Sequence, residues 1–122
     1  MFSPDGRILI QADFTQYSCW TVGDWNALWK IARSAFAYFG HMTFAPDGRI
    51  AALAVSRSVV VLVDVQTGRE LARLESPEGK STTWMAFSPD GSKLAITGVG
   101  QIQLWDLRKL RSELAAMHLD WE

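Results

Sequence analysis

The chain has very few of the residues that build catalytic or metal centres. Its 122 residues include one cysteine, Cys19, and two histidines, His41 and His118, which lie far apart in the sequence. No cysteines, histidines or carboxylates recur at the spacing of metal ligands. The sequence therefore predicts no metal and no cofactor. A single cysteine cannot form a disulfide within one chain, which fits a reducing compartment and favours a cytoplasmic location.

The chain also lacks an excess of charge of one sign and any long, uninterrupted apolar run. It carries 12 basic and 13 acidic residues, so no overall field attracts nucleic acid or an anionic membrane. The longest apolar region, residues 50–65, is broken by a polar stretch at 56–58 and then by Asp64. That pattern favours two strands over a membrane span. The sequence therefore predicts no nucleic-acid partner and no membrane span.

What the chain does contain is one short phrase in three copies: FSPDG at residues 2–6, FAPDG at 44–48 and FSPDG at 87–91. Their phenylalanines are 42 and 43 residues apart. Proline fixes φ for the second position of a type I turn, aspartate suits the third, and glycine accepts the left-handed conformation that follows. Each phrase therefore predicts a bulged hairpin turn between antiparallel strands. The predicted turn residues are Pro4, Asp5, Gly6, Pro46, Asp47, Gly48, Pro89, Asp90 and Gly91.

A second repeated feature follows each phenylalanine after 18 or 19 residues, at the end of an apolar, strand-like run. It is a pair of residues of the Trp-Asp type: Trp20-Thr21, Val63-Asp64 and Trp105-Asp106. The predicted strand ends are Trp20, Asp64, Trp105 and Asp106. After the first two pairs come a glycine-containing turn and another apolar stretch, at 27–31 and 70–74. Each unit therefore consists of four short strands, and a period of this length is typical of a propeller blade.

The combination of FSPDG, a strand and QLWDL resembles the WD-repeat (WD40) family of β-propellers, over nearly the whole chain up to Leu107. The third copy, residues 84–107, is the best match. The first copy has Thr21 where Asp is usual, and the second has Val63 where Trp is usual. The resemblance implies an all-β fold of antiparallel, four-stranded blades. Because the usual histidine positions hold Ala35 and Glu78, the family's buried network of Asp, His, Ser or Thr and Trp is expected to be absent.

Counting strands predicts a partial propeller of two to three blades over residues 1–106. The blade pieces are placed at about 1–33, 41–74 and 82–106; the first lacks its innermost strand and the last its outermost. Closed propellers have at least four blades, so the outer faces need further blades. We expect the chain to be the C-terminal piece of a longer propeller, and its assembly with other copies is the alternative.

The last segment, residues 107–122, is predicted to be a short C-terminal helix and tail. One helical face is apolar, and it is formed by Leu107, Leu110, Leu114 and Met117. A helix that follows a final Trp-Asp strand resembles the terminus of bacterial WD-repeat proteins, including those fused behind a Ser/Thr kinase domain. The resemblance therefore implies a bacterial origin.

A partner-binding surface is predicted in the loops that connect the blades, at one end of the strands. In the resembled family these loops share one rim with the turn that precedes the Trp-Asp strand. The segment 33–40 is rich in aromatic residues, which are frequent anchors at protein interfaces. The alternative is that 37–39 extends an inner strand and is buried. The candidate residues are Phe36, Tyr38, Phe39, Arg57, Glu78 and Lys80.

The repeat without a catalytic constellation predicts a non-enzymatic protein–protein interaction scaffold whose protein partners are unknown. Further blades would come from the parent chain or from other copies. The alternative is a regulatory or sensor propeller within a larger enzyme, such as a bacterial Ser/Thr protein kinase or a TolB-like propeller fused to a hydrolase. A self-assembling three-blade unit is a third reading.

Overall fold

The computed structural model describes residues 1–34, 41–75, 82–98 and 100–116. Within these ranges, ten strands form three antiparallel sheets, and one helix follows the last strand. The all-β fold class, with antiparallel blades and a short C-terminal helix, is confirmed. We call the sheets blade 1, blade 2 and blade 3 in chain order.

Blade 2 has four strands, and blades 1 and 3 have three each in the described residues. Each blade is a meander in which consecutive strands pair. Blade 1 contains β1 (Ile8–Ala12), β2 (Gln16–Thr21) and β3 (Ala27–Ala32). Blade 2 contains β4 (Met42–Phe44), β5 (Ile50–Ala54), β6 (Val59–Asp64) and β7 (Glu70–Glu75). Blade 3 contains β8 (Thr82–Phe87), β9 (Lys93–Gly98) and β10 (Gln101–Asp106), and α1 (Leu107–Ala116) follows it.

Met1 and Phe2 pair with β1 at the inner edge of blade 1. Phe2 forms an isolated bridge with Leu9, and the Met1 carbonyl accepts a hydrogen bond of 3.0 Å from the backbone N–H of Ile10. These contacts sit where β4 pairs with β5 in blade 2. Met1 and Phe2 therefore lie beside β1 at the place that the innermost strand has in blade 2.

The apolar residues form two cores, one between each pair of neighbouring blades. Successive side chains of a strand point to opposite faces, so β5 supplies Ala51 and Leu53 to the core with blade 1, and Ala52 and Ala54 to the core with blade 3. All four are at most 2% exposed. Because blade 2 is buried on both faces, its central strands β5 and β6 are almost continuously apolar rather than alternating.

Helix α1 begins where the other blades turn toward their outermost strand. Asp106 caps it, because its Oδ1 accepts a 3.0 Å hydrogen bond from the backbone N–H of Lys109. Leu107 is buried in the core between blades 2 and 3, and Leu110 packs against that core. The helix therefore packs beside β9, on the side of blade 3 that faces blade 2. Among the described residues, no helix is long and apolar enough to cross a bilayer.

Candidate functional site

The turns of the blades gather at two opposite ends of the strands. The three PDG turns, together with the turns that precede β3 and β7, lie at one end, which we call the PDG rim. The turns β1–β2, β5–β6 and β9–β10 lie at the other end, which we call the loop rim. Because strands alternate in direction within a meander, the chain also leaves each blade from the loop rim.

One of the predicted partner-binding residues lies in the part of the chain that the structure describes. Arg57 is exposed in the β5–β6 turn, on the loop rim. The other candidates, Phe36, Tyr38, Phe39, Glu78 and Lys80, lie outside the described residues. The extended surface they would form stays a prediction.

Beneath the loop rim, the structure brings together Arg33, Tyr17 and His41, a cluster that the sequence did not predict. Arg33 is buried, its guanidinium carbon lies 5.7 Å from the centre of the Tyr17 ring, and its Nη1 donates a 2.7 Å hydrogen bond to the carbonyl of Asp13. The Tyr17 hydroxyl donates to the carbonyls of His41, at 3.0 Å, and Ala54, at 2.7 Å. These bonds join blade 1 to blade 2 and form a fixed floor under the rim.

Burial controls the charge of this cluster. Removal from water raises the pKa of Tyr17 to about 12, although the Arg33 charge and the bond to Ala54 act in the opposite direction. Removal from water also lowers the pKa of His41, and the Arg33 charge lowers it further. Both rings are therefore neutral near neutral pH, and Arg33 carries the positive charge of the cluster.

A second aromatic residue on the loop rim was also missed at the sequence level. Phe14, in the β1–β2 turn, is 73% exposed. The turn is ordered by Asp13, whose Oδ1 accepts 2.8 Å hydrogen bonds from the backbone N–H groups of Thr15 and Gln16. The same bonds lower the pKa of the Asp13 carboxyl. The available signal was a large aromatic side chain in an otherwise polar turn, and it presents an apolar contact on the same rim as Arg57.

The three PDG turns on the opposite rim share one geometry. The glycines Gly6, Gly48 and Gly91 all have φ of +73°, and each donates its N–H to the carbonyl three residues earlier at 2.9 Å. In every turn the aspartate Oδ1 accepts the backbone N–H two residues later, at 2.9–3.0 Å. Each of these carboxylates is therefore engaged by its own turn.

Successive PDG turns also touch one another along the rim. A Cβ placed on Gly48 would lie 3.5 Å from Cδ of Pro4, and one placed on Gly91 would lie 3.5 Å from Cδ of Pro46. A cleft of about 260 Å³ opens between the second and third turns. On its wall, Nη2 of Arg108 lies 3.6 Å from Oδ2 of Asp90.

Hydrogen bonding sets the charge of Asp90 in that cleft. The backbone N–H and hydroxyl of Ser92 and the hydroxyl of Ser88 donate to its Oδ1, and they hold the pKa of this carboxyl far below its usual range. Asp90 is therefore ionised throughout the physiological range. Its proton affinity is too low for general acid–base work near neutral pH.

The predicted strand ends lie where their strands stop and the next element begins. Oδ1 of Asp64, at the end of β6, accepts a 2.8 Å hydrogen bond from the backbone N–H of Gln66. Asp106, at the end of β10, caps α1 in the same way. Trp20 lies near the end of β2, and Nε1 of Trp105 donates to Oε1 of Gln103 at 3.3 Å.

The described residues contain no group of three or more His, Cys, Asp or Glu side chains placed to hold a metal ion. Cys19 is fully buried in the core between blades 1 and 2. Burial raises the pKa of its thiol to about 11. The thiol is therefore protonated near neutral pH, which makes it a poor nucleophile and a poor ligand.

The chain is similar to two plant proteins named for pre-mRNA processing. It is 40% identical over 70 residues to Pre-mRNA-processing factor 19 from Oryza sativa subsp. japonica. It is 39% identical over 69 residues to Pre-mRNA-processing factor 19 homolog 2 from Arabidopsis thaliana. Each match covers 57% of this chain and 13% of the relative's own length. No protein-family model matches the chain.

These matches support the WD-repeat resemblance and, in general terms, a role in protein interaction. They do not support the bacterial origin expected from the tail, since both relatives are plant proteins. The chain corresponds to a small part of each relative, so their similarity concerns the blades rather than a whole protein.

Proposed function

We propose that this chain is a non-catalytic protein–protein interaction scaffold that forms the C-terminal part of a WD40 β-propeller. Residues 1–106 would be the propeller part, and 107–122 the C-terminal helix and tail. The observation that carries the proposal is the exposure of Phe14 and Arg57 on the loop rim. Aromatic side chains and arginine contribute most of the binding free energy at protein interfaces.

The hydrogen bonds of Arg33 and Tyr17 beneath this rim support a binding role. Arg33 holds the β1–β2 turn through the carbonyl of Asp13, and Tyr17 joins β2 to the carbonyls of His41 and Ala54 in blade 2. A surface that is already fixed loses little conformational entropy when a partner binds. The predicted residues Phe36, Tyr38, Phe39, Glu78 and Lys80 would extend the same surface.

The titratable groups support a non-catalytic role. Tyr17 and Cys19 have raised pKa values in buried positions, and Asp90 has a lowered one in its own turn. General acid–base catalysis and thiol attack instead need groups whose pKa lies near the working pH. The chemistry of the described residues therefore favours binding over catalysis.

The proposed partner is a protein, and the remaining blades would come from the parent chain or from other copies. The relatives' names make proteins of pre-mRNA processing the first partners to test. The bacterial origin and the Ser/Thr kinase alternative rest on the tail at 107–122, and the hydrolase alternative rests on the SPDG turns, which TolB-like propellers also use. None of the contacts among the described residues favours these alternatives over a scaffold.

A comparative pull-down tests the proposal. The immobilised chain is compared with Phe14→Ala/Arg57→Ala and with Gln66→Ala/Thr67→Ala, whose sites are exposed on the opposite rim. Proteins captured by the wild type should be lost with the loop-rim variant and retained by the control. Retention of every captured protein by the loop-rim variant would count against this surface.

A further inference from the structure

The cleft between the second and third PDG turns lies on the rim opposite to Phe14 and Arg57. Residues of blade 2, of blade 3 and of the start of α1 form its walls. Its volume is about 260 Å³, below the roughly 300–1,000 Å³ of pockets that enclose whole small molecules. A space of this size fits one long side chain that reaches in from outside.

The lining of this cleft combines apolar and charged side chains. Ile50 and Phe87 contribute apolar surface, and both are half-buried against the core between blades 2 and 3. Asp47 and Asp90 contribute two carboxylates, and Arg108 contributes one guanidinium, so the formal charges of the lining sum to −1. Apolar surface beside a net negative charge suits a ligand that has an apolar stem and a cationic end.

Asp47 has fewer hydrogen-bond donors than the equivalent aspartates of the other two turns. A serine hydroxyl donates to Oδ1 of Asp5 and to Oδ1 of Asp90, at 2.7 Å in both turns. The second turn has Ala45 instead of serine, so within the described residues Asp47 accepts only the backbone N–H of Arg49, at 3.0 Å. A carboxylate can accept about four hydrogen bonds. The Asp47 carboxylate therefore keeps most of its accepting capacity for a donor from outside the chain.

One guanidinium is already present on the wall of the cleft. Nη2 of Arg108, in α1, lies 3.6 Å from Oδ2 of Asp90. The two side chains are 76% and 59% exposed, and an exposed ion pair of this kind contributes little to stability. Arg108 therefore shows which class of group this wall accepts, although the pair does not hold Arg108 firmly in place.

We propose that this cleft binds an arginine side chain of a protein partner. The stem of the arginine lies along Ile50 and Phe87, and its guanidinium donates to the carboxylate of Asp47. Arginine fits better than lysine, because its planar guanidinium forms two parallel bonds to one carboxylate and stacks on an aromatic ring. Arg108 carries the same charge, so it opposes the incoming guanidinium and lowers its affinity. The cleft lies on the PDG rim, so this site is independent of the proposed loop-rim surface.

Titration of the isotope-labelled chain with a blocked Gly-Arg-Gly peptide, followed by the NMR shifts of its backbone amides, tests the site. The shifts should be concentrated at the second and third PDG turns and at the start of α1. Asp47→Asn should weaken binding about tenfold or more, because a neutral amide replaces the charged acceptor. Asp5→Asn makes the same change in the first turn, outside the cleft, and should bind the peptide as the wild type does.

Two further comparisons establish what the cleft recognises. A peptide with citrulline in place of arginine keeps the stem but loses the charge, and it should not shift these amides. Arg108→Ala should bind the arginine peptide about twofold more tightly, because a like charge is removed from the wall. Equal affinity of Asp47→Asn and the wild type would overturn the proposal, as would equal binding of the citrulline peptide or an absence of shifts at the two turns. Weaker binding by Arg108→Ala would contradict the opposition assigned to that residue.

Discussion

The residue before each proline distinguishes three otherwise equivalent turns. Ser3 Oγ donates to Oδ1 of Asp5 at 2.7 Å and accepts the backbone N–H of Ile8 at 3.0 Å. Ser88 makes the same two bonds, at the same distances, in the third turn. The second turn has Ala45 there, which cannot form either bond. Ser3 and Ala45 are both 6% exposed, so the two sites are equally enclosed.

Exchanging these residues should shift stability in opposite directions. Ser3→Ala should lower the free energy of unfolding by about 1 kcal/mol, because it removes two hydrogen bonds in a buried turn. Ala45→Ser should raise it by about 0.5 kcal/mol, because the hydroxyl gains the same partners. Urea titration of both variants checks this. Equal midpoints for both variants and the wild type would show that the serine bonds contribute nothing.

Glycine is required for different reasons at Gly68 and Gly6. Both have φ of +73°. A Cβ on Gly68 would lie 2.6 Å from Cγ of Trp29, whereas a Cβ on Gly6 would meet no atom within 4 Å. The Trp29 ring is itself fixed, because its Nε1 donates a 2.8 Å hydrogen bond to the carbonyl of Val65.

The two alanine variants separate backbone strain from this clash. Gly6→Ala should cost about 1 kcal/mol, the strain of a positive φ alone. Gly68→Ala should cost about 3 kcal/mol, because Trp29 must also move away from Val65. Thermal denaturation provides the comparison, and tryptophan fluorescence should change only in Gly68→Ala. A similar cost for both variants would mean that Trp29 yields without penalty.

Alkaline pH should destabilise the protein through Tyr17 and Cys19. Their pKa values are raised from 10.0 to about 12 and from 9.0 to about 11 by burial. The folded chain therefore keeps protons that the unfolded chain releases. The contribution of these two groups to the free energy of unfolding is fully present below pH 9 and is lost as pH rises toward 12. Urea midpoints measured against pH should show this slope. Tyr17→Phe should flatten its upper part, and an unchanged slope in that variant would contradict the assignment.

At the scale of the element, α1 depends on Asp106, the residue that caps it, and on its apolar face. Asp106→Ala should lower the free energy of unfolding by about 1 kcal/mol, because the N–H of Lys109 loses its acceptor. Asp106→Asn keeps an equivalent cap and serves as the control. Faster hydrogen exchange at the Lys109 amide in the alanine variant alone is the direct readout. Equal exchange in both variants would rule out the cap.

Elements whose cause is local could be predicted from the sequence. Each PDG phrase contains both the proline and the glycine whose φ values the turn requires. The apolar runs between the turns form β2, β6 and β10. The helix followed from the spacing of Leu107 and Leu110 on one apolar face.

Contacts that depend on how neighbouring blades meet could not be predicted. The sequence gives no sign that the Tyr17 hydroxyl reaches the carbonyl of Ala54, or that Trp29 packs on Gly68, since 37 and 39 residues separate them. The same holds for Arg33, whose burial depends on blade 2. Of the predicted surface residues, Arg57 alone lies in the described part of the chain. The exposure of Phe14 on the same rim could not be predicted, because the exposure of a turn residue depends on the surrounding blade.

At the scale of the whole molecule, blade 2 holds the other two blades together. It packs against blade 1 through one apolar core and against blade 3 through the other.

The proline–glycine contact between successive PDG turns has a geometrical consequence. A Cβ placed on either glycine would lie 3.5 Å from Cδ of the preceding proline, so the two steps from blade to blade have the same spacing at this rim. That distance is an ordinary van der Waals contact, so an alanine methyl group would fit against the proline, and glycine is needed at these turns for its φ of +73° rather than for space. The five residues that turn the chain within a blade therefore also meet the next blade at van der Waals distance.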